Sequence, residues 1–254
     1  MKVNSRFRIS ALAAMLLLLL SSAVLAGAKL DSLAARAGKC GVDDAVIAGV
    51  MRHAQEGAPA GQAAQSILDI LIRSCEAGLP QAPFAGKVSE GLAKRVPLQR
   101  IVPILETRFK DYSFVRELLV REGTDSSGLQ QDTAILGDAL ASGMTRQELE
   151  ILFARLHREN PMDAVLGVQL YSYMFLAGLG KDACERVVAA GLEHDALNPD
   201  WLGFSRVVVL AKRKGLEDEA IARAAVQALS EKADVKRAMM LLGFTARPVL
   251  NSDE

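Results

Sequence analysis

Six times along this chain, a run of apolar residues at helical spacing stops at a glycine followed by an apolar residue. The pairs are Gly41-Val42, Gly57-Ala58, Gly78-Leu79, Gly143-Met144, Gly191-Leu192 and Gly215-Leu216. Glycine takes the left-handed conformation after a helix at little cost, and the apolar residue behind it can fold back onto the last turn. New helix starts follow closely: Asp43-Asp44, Pro59, Pro80, Glu217-Asp218, and Thr145-Arg146-Gln147-Glu148, a capping box. A chain punctuated in this way forms short helices with short connections, and such helices pack antiparallel to their neighbours.

The runs between these stops carry a helical period. Val46, Ile47, Val50 and Met51 form one stripe; Ile67, Leu68, Leu71, Ile72 and Cys75 another; Leu149, Leu152, Phe153 and Leu156 a third. The β-branched run Val207-Val208-Val209 lies inside a stretch with no turn signal until Gly215, which favours a buried helix. Helices are expected near 30–38, 43–56, 60–77, 81–94, 97–110, 112–122, 129–142, 146–158, 162–178, 181–190, 200–214, 217–231 and 234–242. That is about twelve helices, with 30–38 left open to disorder. Pro103 should kink the fifth or shift its start. The polar segment 123–128 reads as a linker between a front half, 29–122, and a back half, 129–244, with 245–254 as a tail. The first glycine stops are 16 and 21 residues apart and later spacings are irregular, so no fixed repeat period is expected. The fold class is all-α, an array or bundle of antiparallel helical hairpins.

The N-terminus has a separate character. Lys2, Arg6 and Arg8 precede an uncharged apolar stretch with five consecutive leucines, Leu16 to Leu20, and then small residues through Ala28. This order is that of a secretory signal peptide, residues 1–28, with cleavage after Ala26 or Ala28. The competing reading is an uncleaved anchor, because Ile9 to Ala28 is long enough to span a bilayer. No cysteine stands at the end of the apolar run, which argues against a lipoprotein signal. The whole chain balances 30 Lys+Arg against 30 Asp+Glu. Without residues 1–28 the balance becomes 27 basic to 30 acidic, a net charge of −3. Such a chain is ill-suited to nucleic acid or anionic lipid.

Export also sets a redox compartment in which disulfides persist. Cys40, Cys75 and Cys184 allow one bridge and one leftover thiol. Cys40–Cys75 is the favoured pair, a crosslink across two helices worth about 3–4 kcal/mol by loop closure. Cys75–Cys184 and three free thiols are the alternatives.

Chemistry is harder to find. His53, His157 and His194 lie far apart, outside any zinc motif, and are expected to be exposed. Ser89 lacks the glycine that precedes a nucleophile elbow, and acids flank Cys184, opposing thiolate formation. Gly178-Leu179-Gly180 lacks the context of a phosphate loop. No cofactor and no metal is assigned. Glu90 is the one weak catalytic candidate, as the poised acid of a glycan-acting hydrolase or lyase. Such an acid needs a cleft and a second polar partner. The uncharged stretch Ala164 to Gly180 reads as a central core helix, and Trp201 as a core or staple residue at a helix start.

Residues 78–108, from Gly78-Leu79-Pro80 through Ser89-Glu90-Gly91-Leu92-Ala93-Lys94-Arg95-Val96-Pro97 to Ile104-Leu105, resemble a stretch seen in exported bacterial proteins of unassigned function. The resemblance covers about an eighth of the chain, implies a bacterial envelope protein and carries over no site. The expected function is therefore a helical interaction or structural module in the periplasm or outside the cell, with a protein partner in the envelope. The alternatives are the Glu90 enzyme and a signal-anchored inner-membrane protein, which touches the membrane only if the signal is uncleaved.

Overall fold

The computed structural model describes residues 28–124, 127–159 and 163–245. The expected signal before residue 28, its cleavage position at Ala26, the middle of the 123–128 linker and the tail from 246 lie outside the described residues. Among the described residues every regular element is helical. The order is α1 (28–39), α2 (Asp44–His53), a 3-10 turn (Ala54–Glu56), α3 (Ala58–Glu76), α4 (Ala82–Ala93) and α5 (Leu98–Arg121). There follow α6 (Leu129–Ala141), α7 (Arg146–Glu159), α8 (Ala164–Leu176) and α9 (Lys181–Glu193). A second 3-10 turn (Pro199–Gly203) leads into α10 (Phe204–Arg213), α11 (Asp218–Ser230) and α12 (Val235–Leu241).

One device ends ten of these helices. The N–H groups of Val42, Leu79, Val96, Thr124, Met144, Leu179, Ala196, Leu216, Ala233 and Phe244 each donate to the carbonyl five residues back. The residue before each has positive φ and donates to the carbonyl three residues back. This is the Schellman closure, which satisfies carbonyls that a helix end leaves open. The apolar residue behind it is driven into the core, as at Val42, Leu79, Met144 and Leu179.

Gly41, Gly78, Gly143 and Gly215 close helices in this way. Gly57 does not: it precedes α3 with φ 125° and ψ 171°. Gly191 does not either. It lies inside α9, where a Cβ would sit 2.6 Å from Leu197 Cγ, so it is small to admit the returning loop. Asp195 closes α9, and Arg95 and Lys232 close α4 and α11, all with left-handed non-glycine backbone. With the true ends in place, a near-fixed period emerges. Gly41 and Gly78 are 37 residues apart; Gly143, Gly178 and Gly215 are 35 and 37 apart. Removing Gly57 and Gly191 alone leaves spacings of 37, 65 and 72, and the 35- and 37-residue intervals of the second unit appear once Gly178 is counted as a stop.

Two further corrections concern the elements. Segment 30–38 is ordered helix, anchored by buried Leu33 and Ala37. The expected helices 97–110 and 112–122 are one continuous helix, α5, running from Leu98 past Pro103 without a changed start. Proline costs one hydrogen bond in the second turn there, and no cap or glycine follows to stop the helix. By contacts the chain divides into two compact units, Met1–Lys110 and Asp111–Glu254, with the boundary inside α5. The reason is apolar: Val115, Leu118 and Leu119 of α5 belong to the same core as α6 to α12.

In the first unit, α2 packs against α3 and α4. A disulfide joins Cys40, just after α1, to Cys75 in α3, and Arg36 donates to Glu76 beside it at 2.8 Å. Arg73 of α3 binds Glu106 of α5 at 2.5 Å and lies over the Phe109 ring. The core holds Phe84, Val88, Leu105 and the α3 stripe around Ile67 and Leu71.

In the second unit, α8 packs against α6, α7, α9 and α10, and α9 against α7 and α11. Ala164 to Leu176 is thus a central core helix, buried over most of its surface. Among the described residues no helix is long and apolar enough to cross a membrane. Trp201 and Phe204 pack together, fully buried, at a ring distance of 5.7 Å. Odd-numbered helices are tied by ion pairs: Arg146–Asp111 and Arg121–Glu150 join α7 to α5, Lys181–Glu148 and Arg155–Glu185 join α9 to α7, and Arg186–Glu219 joins α9 to α11.

Candidate functional site

Glu90 lines none of the three clefts described below. Its carboxylate accepts from Lys87 of the same helix at 2.8 Å and from Lys94, the residue that caps that helix, at 2.6 Å, and is exposed. The two ammonium groups pull its pKa down to about 2. A general acid must hold its proton near the working pH, and this group gives it up far too readily.

The histidines do not converge, and none is fully exposed. His53 pairs its Nδ1 with the Gly49 carbonyl at 2.9 Å. His157 places Nε2 3.1 Å from the Glu122 carbonyl and stacks on Phe153. Among the described residues no three His, Cys, Asp or Glu side chains gather as a metal site would require. Cys184 is the free thiol, fully buried, with its Sγ 3.6 Å from the Leu179 carbonyl. Burial, then the Asp218 and Glu185 charges, push its pKa up to about 12, which suppresses the thiolate.

Three open clefts stand out among the described residues. One of about 440 Å³, in the first unit, is lined by residues including His53, Glu56, Arg95 and Pro97. One of about 300 Å³ lies between α10 and the start of α12, with Arg206, Val207, Val235 and Met239 on its walls. The third, of about 200 Å³, is the most built. It sits in the seam between α7 and α9, with Met144, Leu152 and Tyr171 as its floor and Ile151 at its edge. Ion pairs Lys181–Glu148 and Arg155–Glu185 form its rim.

The local sequence builds this cleft. The Gly143-Met144 closure turns Met144 inward, and the capping box then starts α7. Thr145 N–H donates to Glu148 at 2.8 Å, while Glu148 N–H donates to the Thr145 hydroxyl at 3.2 Å. Seven residues, two turns, separate Glu148 from Arg155, so both face α9. Lys181 first, then Thr145, hold the Glu148 carboxyl down at about 2. Tyr171 rises from α8 below. It is only 6% exposed, and its hydroxyl is not among the buried polar atoms that lack a partner. Burial, then nearby negative charge, push its pKa up to about 12. Ile151, in contrast, is 62% exposed at the mouth.

None of these residues was singled out as a site in the sequence. Met144 and Leu152 are legible there as a helix stop and a core stripe, but the cleft joins segments 37 residues apart. The missing signal was the 35-residue period, which would have aligned Lys181 with Arg146. Comparison with protein-family models, with curated proteins and with solved structures finds no match to this chain.

Proposed function

We infer that this chain is an exported bacterial envelope protein whose helices form an array of antiparallel hairpins, and that it acts as an interaction module for a protein partner in the periplasm or outside the cell. The observation that carries the reading is the spacing of 35 and 37 residues between the helix stops Gly143, Gly178 and Gly215 of the second unit, matched by the one 37-residue interval from Gly41 to Gly78 in the first. Successive odd-numbered helices are cross-bridged at similar separations, 35 residues for Cys40–Cys75 and 33 for Arg186–Glu219. Arrays of this kind offer extended surfaces made from several helices and need no catalytic group. A half-buried disulfide and the signal-like order of residues 1–28 support export. The Glu90 enzyme loses its support with the two lysine clamps.

Two measurements test this. Crosslinking in the native envelope fraction, read by mass spectrometry, should give inter-protein links from the second unit to one recurring partner. Links confined to the chain itself overturn the module. N-terminal sequencing of the mature protein should begin at Gly27 or Lys29, whereas an intact Met1 points to the anchored alternative.

A further inference from the structure

We propose that the Cys40–Cys75 disulfide is a redox latch on α1: thiol–disulfide exchange with a dithiol opens it, and α1 then pivots away from the first unit about Gly41 while the rest of that unit stays folded. The proposal rests on the reading of an exported chain. An oxidising compartment forms the bridge, and cleavage after Ala26 or Ala28 leaves α1 free at its other end.

Apart from the bridge, α1 is weakly held. Within 28–39 only Leu33 and Ala37 are buried, whereas α3 buries nine of its 19 residues. Among the described residues its ion pair to another helix is Arg36 with Glu76, and those side chains are 52% and 60% exposed. An exposed pair of this kind adds little. Fixing each residue of a helix costs entropy that burial must offset, and two buried side chains are too few for a helix of this length. The covalent link supplies what packing does not, because it keeps α1 beside α3 at all times.

The chain beyond the bridge is anchored independently. Gly41 holds φ 77°, and a Cβ there would meet nothing within 4 Å, so the backbone has room to turn. Val42 behind it is buried, and the Asp43 carboxylate accepts from the Ala45 N–H at 2.6 Å, capping α2. The core of the unit, with Phe84, Val88, Leu105, Ile67 and Leu71, comes from α3, α4 and α5. Release therefore ends at Gly41. It uncovers the flank of α2 that faces Gly38, where Ile47 Cδ1 would lie 3.8 Å from a Cβ.

The exchange itself has an order. Cys40 and Cys75 are both half-buried, so a thiolate can reach them. One thiolate of the dithiol attacks Cys75 Sγ, the bridge breaks, and Cys40 leaves as a thiolate that takes up a proton. The second thiol of the reductant, deprotonated, attacks the reductant's own sulfur in the mixed disulfide. Cys75 leaves and takes up the second proton, and the dithiol, having given up two electrons, ends as a disulfide. Cys40 is the better leaving group, because Lys39 stands beside it and Arg36 one turn back, whereas Glu76 stands beside Cys75. Cys184, fully buried, stays out of the exchange.

The test is hydrogen exchange of the full mature chain, read by mass spectrometry before and after dithiothreitol, with alkylation to count thiols. Without denaturant, dithiothreitol should add two alkylatable cysteines. The amides of 30–39 should then exchange about 100-fold faster or more, and those of α4 less than about 3-fold faster. Oxidised glutathione should restore the slow pattern. Cys40→Ser with Cys75→Ser should show the released pattern without reductant and ignore dithiothreitol. A bridge that opens only in denaturant, α1 amides that stay protected in the reduced chain, or α4 amides that lose protection together with α1 would each overturn the latch. The exchange pattern decides the latch and the envelope crosslinks decide the interaction module, so the failure of one is distinct from the failure of the other.

Discussion

In the unit Met1–Lys110 the chain after α1 is tied to α3 by a disulfide; in the unit Asp111–Glu254, α9 is tied to α7 by two ion pairs at the protein surface. The bridged residues lie 35 apart in the first case, and 33 and 30 apart in the second, so the crosslinks occupy comparable places along the chain. Their energies differ. Closing a 35-residue loop covalently stabilises by about 3–4 kcal/mol, chiefly by restricting the unfolded chain. An exposed ion pair contributes about 0–1 kcal/mol. The second unit has a compensating asset, a core with Trp201, Phe153 and Phe204 fully buried and an uncharged α8 among its helices. A smaller unit with less apolar surface to bury gains more from a staple.

The sharpest way to break this contrast is in the larger core. Trp201→Ala should cost about 3–5 kcal/mol, and hydrogen exchange should show the lost protection in α8, α10 and α12. Equal loss throughout α3 would mean that the units do not unfold separately. Next comes the staple. Cys40→Ser with Cys75→Ser should cost about 2–4 kcal/mol, with α1 and α3 losing protection and α9 keeping it. Alkylation before reduction should modify at most Cys184, and three reactive thiols would remove the bridge from the comparison.

Smaller effects probe the helix ends. Arg95 and Lys232, one in each unit, hold left-handed backbone at φ 53° and 51°. Glycine at either position should stabilise by about 0.5–1 kcal/mol, as judged by urea unfolding. A destabilised Arg95→Gly would assign that side chain a role beyond closing α4.

The smallest effect is electrostatic. Glu90 and Glu148 both titrate near 2, the first clamped by Lys87 and Lys94 and the second bridging α7 to α9. A depressed carboxyl pKa contributes stability above the ordinary carboxylate range and loses it as pH falls through about 2. Carbon-detected NMR titration should find both midpoints low. Lys181→Met should raise that of Glu148 and leave Glu90 unmoved; a Glu148 midpoint insensitive to Lys181 would dissolve the seam's rim.

Helical periodicity and the Gly-apolar pairs at 41, 78, 143 and 215 carried most of the fold, because an amphipathic stripe and a left-handed stop are both local. The same local logic failed at Gly191, where glycine makes room for Leu197, and at Arg95, Asp195 and Lys232, where the closure forms without glycine. It also failed at residues 110–112, where apolar residues on either side of an unbroken helix belong to different cores.

The amino-acid sequence by itself determined the class of the molecule and the helix ends at Gly41, Gly78, Gly143 and Gly215, since those depend on side chains within one turn of each other. It determined too that any bridge would leave one thiol over. Only the tertiary structure decided where the units divide and that Glu90 lies between lysines in the open. It alone placed Met144, Ile151, Tyr171 and Lys181 around one cleft. Those outcomes depend on which helices become neighbours, a choice made by the summed burial of many apolar side chains and not by any short segment.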